Sequence, residues 1–115
     1  MNKLLLFFVL CISRVDADLI HPPDNDVLSY IHIMFRWDAE GDATTYTFEL
    51  SSSSDFSPIL ISINIADTKL LVDENIDWQS IYSWRVKPID GEFSAASSFT
   101  TSSPSYQFSG NVSPV

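Results

Sequence analysis

Strict alternation of apolar and polar side chains is the feature that most constrains this chain. In Ile81-Tyr82-Ser83-Trp84-Arg85-Val86-Lys87, the side chains of Tyr82, Trp84 and Val86 share one parity, and Ser83, Arg85 and Lys87 share the other. Successive side chains of a strand point to opposite faces, so this segment offers one face to a core and one to water. A helix would scatter the same residues around its circumference. The pattern recurs over residues 30–37, with Ile31, Ile33, Phe35 and Trp37 opposed to His32 and Arg36. It recurs again over residues 44–51, where Tyr46, Phe48 and Leu50 turn inward and Thr45, Thr47 and Glu49 turn outward.

The intervening chain fits the same scheme. Ile59, Ile61, Ile63 and Ile65 share one parity, and branched side chains suit a pleated surface better than a helix. A shorter strand is predicted over residues 69–72, a last one over 93–101 with Phe99 inward, and a first one near 18–21, ahead of Pro22-Pro23. Residues 38–43 form a polar turn around Gly41, residues 51–57 a serine-rich break, and residues 73–80 an acidic loop carrying Ile76 and Trp78. Asp90-Gly91 predicts a tight hairpin turn, since both residues tolerate positive φ. Asp24-Asn25-Asp26 reads as turn chemistry. Seven short strands at this spacing predict an all-β sandwich.

The first 17 residues stand apart. Lys3 precedes an apolar run over residues 4–12, and Val15-Asp16-Ala17 offers a small-residue cleavage site, the pattern of a secretory signal peptide. The run is too short to cross a bilayer, which takes about 20 residues. A lipid-anchored cysteine at Cys11 is disfavoured, because Leu10 stands where a small residue is wanted. Cleavage after Ala17 leaves 98 residues, enough for one domain and one core. It removes Cys11, the sole cysteine, so disulfides, cysteine metal sites and a cysteine nucleophile are excluded from the mature chain. The predicted organisation is a signal peptide at 1–17, one domain at 18–101 and a linker or tail at 102–115, rich in Ser and Pro. Loss of Lys3, Arg14 and Asp16 leaves 4 basic and 14 acidic side chains, a net charge of −10. Such a surface repels phosphate backbones and anionic lipid, which disfavours nucleic acid and membrane partners.

Two stretches of the chain resemble the fibronectin type III family. Phe35-Arg36-Trp37, then residues 41–46, then Phe48-Glu49-Leu50-Ser51 and Asp55-Phe56 are similar to the front half of such a domain. Residues 76–86, then Asp90-Gly91 and Ser98-Phe99-Thr100-Thr101 are similar to the back half. The resemblance covers residues 21–101 and implies a seven-stranded immunoglobulin-like sandwich of the kind found in secreted, mostly bacterial, multidomain proteins. It places Trp37 between the sheets, with Tyr46, Trp84 and Phe99 inward and Ile76 closing the core. It makes Tyr82 a tyrosine corner, whose hydroxyl reaches backbone a few residues upstream. The chain departs from the family at Pro88, which removes a ladder donor and marks a bulge or strand end. No Arg-Gly-Asp stands at Asp90-Gly91-Glu92, so integrin-type adhesion is not implied.

Chemistry-bearing motifs are sparse. Asp38, Glu40, Asp42 and Glu49 have the spacing of a calcium loop, but Ala43 stands where the sharp turn needs glycine, and a solvated acidic turn is the better reading. His21 and His32 lie in no motif for nucleophilic catalysis, and Gly-x-Ser-x-Gly is absent. No cofactor, metal or catalytic residue is expected, and the chain is not expected to be an enzyme. Exposed aromatics bind sugars by stacking; Trp78 is the candidate ligand contact, beside Tyr30, Tyr106 and Phe108, though packing onto the sandwich edge accounts for Trp78 better. Asn111-Val112-Ser113 is a glycosylation sequon followed by Pro114. The expected function is a secreted, extracytoplasmic, non-catalytic module acting as spacer or protein-interaction domain, its partner a protein or a tethered neighbouring domain. Two alternatives stand beside it: a carbohydrate-binding or adhesion module, and the amino-terminal part of a larger secreted enzyme of polysaccharide-processing or sulfotransferase type.

Overall fold

The computed structural model describes residues 18–104. The predicted signal peptide lies outside them, as do Tyr106, Phe108 and the sequon. Eight strands and no helix make up the described chain: β1 (Leu19–His21), β2 (Asp26–Leu28), β3 (Ile33–Trp37), β4 (Tyr46–Ser51), β5 (Ile59–Ile65), β6 (Lys69–Val72), β7 (Ile81–Pro88) and β8 (Ser97–Thr101). They form a three-stranded sheet in the order β1-β3-β6 and a five-stranded sheet in the order β2-β8-β7-β4-β5. The pairs are antiparallel except β2 with β8, which run parallel.

Parity decides what each strand buries. Along β3, burial alternates strictly, with Ile33, Phe35 and Trp37 inside and Met34 and Arg36 outside. The register carries this across the sheets: Phe48 lies opposite Val86 and Leu50 opposite Trp84, so four inward side chains meet on one face. The core joins Trp37, Tyr46, Ile76, Tyr82, Trp84 and Phe99 to Leu28, Ile33, Phe35, Phe48, Leu50, Val72 and Val86. Phe35 is its hub, edge-on to Phe48 at 4.9 Å and to Trp84 at 5.0 Å, while Trp37 stacks on Phe48 at 6.1 Å. Such pairs contribute about 0.5–1.5 kcal/mol each beyond their buried area. The Tyr82 hydroxyl accepts the Asp77 N–H at 2.7 Å and so ties the 73–80 loop to the core. Thr101 completes that tie, donating its hydroxyl to the Asp77 carbonyl at 2.6 Å.

The structure differs from the expected strand plan in three places. β2 makes an eighth strand that was not expected, directly after the predicted turn, where Asn25 takes φ 67° and the Asp26 N–H reaches the Pro23 carbonyl at 3.2 Å. Its three residues, Asp26-Val27-Leu28, are too few to display a period, and its partner β8 lies more than seventy residues away. The last strand begins at Ser97 rather than Phe93. The Gly91 N–H does close a turn onto the Pro88 carbonyl at 2.8 Å. However, the residues at positive φ are Asn25, Gly41, Phe56, Asn75 and Gln79, and neither Asp90 nor Gly91 is among them. A turn without positive φ lacks the twist of a tight hairpin, so the regular ladder is interrupted until Ser97. In between, Ser94 holds Val86, its N–H on the Val86 carbonyl at 2.9 Å and its hydroxyl accepting the Val86 N–H at 3.2 Å. Pro88 ends β7, opposite Tyr46. Finally, the chain stays attached past Thr101: Ser102 donates its N–H to the Leu28 carbonyl at 2.8 Å, and the Gln79 amide reaches the Ser103 hydroxyl at 3.3 Å.

Candidate functional site

Sheet order leaves four strands at an edge: β1, β2, β5 and β6. β5 is the longest, with seven residues. Its start is set by the serine-rich break, which ends at Pro58. The Ser51 hydroxyl donates to the Pro58 carbonyl and fixes where pairing with β4 begins, across an irregularity between Leu50 and Ser51. From there the register is regular: Ile61 opposite Leu50, Ile63 opposite Phe48, Ile65 opposite Tyr46. These isoleucines therefore point to the side of the sheet on which Phe48 and Leu50 are buried. They are covered only in part, for β5 is at the rim and the facing strand β6 is a rim as well. Ile61 and Ile65 are half-buried, and Ile63 is 42% exposed.

The two rims leave an open lip between the sheets. It holds a groove of about 270 Å³ lined by Ile61 and Ile63 on one side and Leu70, Leu71 and Val72 on the other, with Asp73, Glu74 and Asn75 at one end. Residues 66–68 link β5 to β6. The groove thus offers apolar walls, two exposed carboxylates and, on β5, a row of backbone groups with no neighbouring strand. That set suits an extended chain.

No family model, curated protein or solved structure matches the chain.

The other candidate residues are dispersed. Trp78 lies half-buried in the 73–80 loop, where the Ser80 hydroxyl donates to its carbonyl at 3.0 Å. Among the described residues no second aromatic ring lies against its indole, so no stacking platform forms there. Tyr30 is 40% exposed, and its hydroxyl lies 3.1 Å from His21 Nε2. His32 stands exposed just before β3. The acidic set of the calcium-like spacing is divided: Glu49 sits on β4 and accepts from Arg85 Nε and Nη2 at 3.0 and 2.8 Å, away from the 38–43 turn. Among the described residues no three His, Cys, Asp or Glu side chains gather as a metal group. No helix among them is long and apolar enough to cross a membrane.

One cluster on the outer face of the five-stranded sheet is built differently. The Arg85 guanidinium lies between the rings of Phe56 and Phe93, 4.0 Å from each centroid, while holding Glu49. Lys87 lies 5.1 Å from the Phe93 ring. Arg85 has its charge paired and both faces stacked, so the cluster clamps two loops to the sheet.

The lip was not visible in the sequence. The isoleucine parity shows which way residues 59–65 face, but whether that face is covered depends on which strand becomes an edge. The available signal was the absence of charge along the whole segment Ile59-Leu60-Ile61-Ser62-Ile63-Asn64-Ile65.

Proposed function

We propose that the chain is a fibronectin type III-like module of a secreted protein, non-catalytic, that serves as a spacer and protein-interaction domain. Three strands facing five, the core around Trp37 and Trp84, and the Tyr82–Asp77 bond support the family reading. The signal-peptide pattern of residues 1–17 supports secretion. The interaction role rests on one observation: an uncharged seven-residue edge strand beside an open apolar groove. An edge left free in this way presents unpaired N–H and C=O groups on which another chain can pair.

Panning the full-length chain against a displayed library of random peptides tests the interaction role. Enrichment is expected, and it is expected to vanish when Ile63→Lys or Leu71→Glu replaces the parent. Both positions are more than 40% exposed, and unchanged circular dichroism checks that each variant folds. No enrichment over blank, or enrichment that both variants retain, rejects an interaction site at the lip.

A further inference from the structure

We infer that β5 accepts an extended segment of another protein by antiparallel strand addition, with alternate apolar side chains of that segment filling the groove and lysine or arginine following at its C-terminal end. This rests on the protein-interaction reading and names the partner's chemistry.

The four edges argue for it by contrast. Free edges are normally blunted by shortness, charge, proline or a bulge, because an exposed row of N–H and C=O groups recruits other chains. β1 has three residues and an irregular register, β2 has three residues, and β6 has four and opens with Lys69. β5 has seven residues, no charge and no proline within the strand. Its one irregularity is an extra residue near its start, Leu60, because Leu50 pairs with Ile61 and Ser51 with Ile59, and from Ile61 to Ile65 the edge is regular. At about 3.3 Å per residue, the regular stretch from Ile61 to Ile65 offers some 16 Å of pairing length. A strand added there continues the pleat, so every second side chain of it falls on the side of Ile61 and Ile63, above the groove.

Charge sets the direction. β5 runs from Ile59 to Ile65, the 66–68 turn reverses the chain, and β6 returns, so Asp73 and Glu74 lie toward the beginning of β5. An antiparallel segment ends at that point, and a cation there meets two carboxylates. A second copy of this chain is a poorer occupant, since each carries a net charge of −9. Residues 105–115 are also poorer, for they hold no lysine or arginine.

The experiment uses the full-length chain and a fluorescein-labelled, amidated peptide, Thr-Val-Thr-Val-Thr-Val-Lys-Arg, read by anisotropy. Binding is expected. N-methylation of alternate peptide amides is expected to abolish it, as is Ile63→Lys or Leu71→Glu in the protein. Asp73→Asn with Glu74→Gln is expected to weaken it about threefold to tenfold at low salt, a change that shrinks as salt rises. Moving Lys-Arg to the amino end is expected to weaken it similarly. The inference is overturned if the peptide does not bind, if N-methylation changes nothing, or if both groove variants bind as the parent does. It is overturned as well if sedimentation shows self-association that Ile63→Lys removes, because the occupant is then a second copy. Should the displayed library yield groove-dependent ligands while this peptide fails, the interaction reading stands and the strand-addition inference falls. If neither yields binding, both fall.

Discussion

Phe56 adopts φ 58°, a left-handed conformation that a bulky side chain reaches only under constraint. Its ring is held by Arg85, and Arg85 in turn neutralises Glu49, a residue only 9% exposed. Removing one member of a partly buried pair leaves the other charge unpaired, the costly direction. Arg85→Ala is therefore expected to destabilise by about 2–3 kcal/mol in denaturant titration, discounted for the partial exposure of the pair. Glu49→Gln in that background is expected to recover part of the loss, and additive single effects would contradict this coupling. Tyr82→Phe removes the acceptor of the Asp77 N–H and is expected to cost about 1 kcal/mol, read as a melting point lower by about 4–8 °C. Asp55 has its carboxyl held below the ordinary 3.8, first by the Ser53 hydroxyl and then by the Ser57 N–H. A carboxylate with a depressed pKa lends stability above that ordinary value and loses it as pH falls through the folded one. Asp55→Asn is thus expected to lower the melting point at pH 7, and the gap between variant and parent is expected to close below pH 3.8. That Arg85 faces outward was legible from parity. Its stacking on Phe56 and Phe93 was not, because contacts between a strand and two loops leave no spacing to read.

At the level of elements, alternation was informative wherever a strand is long and covered on one side. β3 follows its parity strictly, and in β4 and β7 the inward residues enter the core, although the outward-facing Glu49 and Ser83 are buried as well. The signal fails for β2, whose three residues pair in parallel with a distant strand, and at the start of β8, where turn geometry outweighs the pattern. It also fails to separate an edge from an interior strand: β5 and β4 read alike in sequence, yet most of β4 is buried and β5 is not. An uncovered, uncharged β-rich segment of this length favours cross-strand stacking between molecules. Ile63→Lys is expected to lengthen the lag of thioflavin-positive aggregation on agitation while leaving the melting point within about 2 °C. An unchanged lag would place the aggregation-prone segment elsewhere.

The whole molecule couples a small apolar core to a charge of −9. Self-repulsion of that size works against compaction and is screened within about 10 Å at 0.1 M salt. The melting point is accordingly expected to rise between 10 mM and 150 mM sodium chloride, and a fall would mean that the Glu49–Arg85 attraction outweighs the repulsion. The two-layer architecture was legible because it needs only the count and facing of strands, whereas the lip depends on how the two sheet rims meet. Another property of the whole follows from the parallel pairing of β2 with β8. The contact runs from Asp24, whose carboxylate accepts the Ser98 N–H at 2.8 Å, through Asn25 N–H on the Ser98 carbonyl at 2.7 Å, to Ser102 on Leu28 at 2.8 Å. The polypeptide reaches this ladder at the beginning of β2 and departs it at the finish of β8. Tension applied through the two ends would load those bonds side by side, not in succession, so they would yield together. A sandwich wired in this manner resists stretching as a clasp does, and the fastening sits on the flank opposite β5, leaving the lip free while the molecule is under strain.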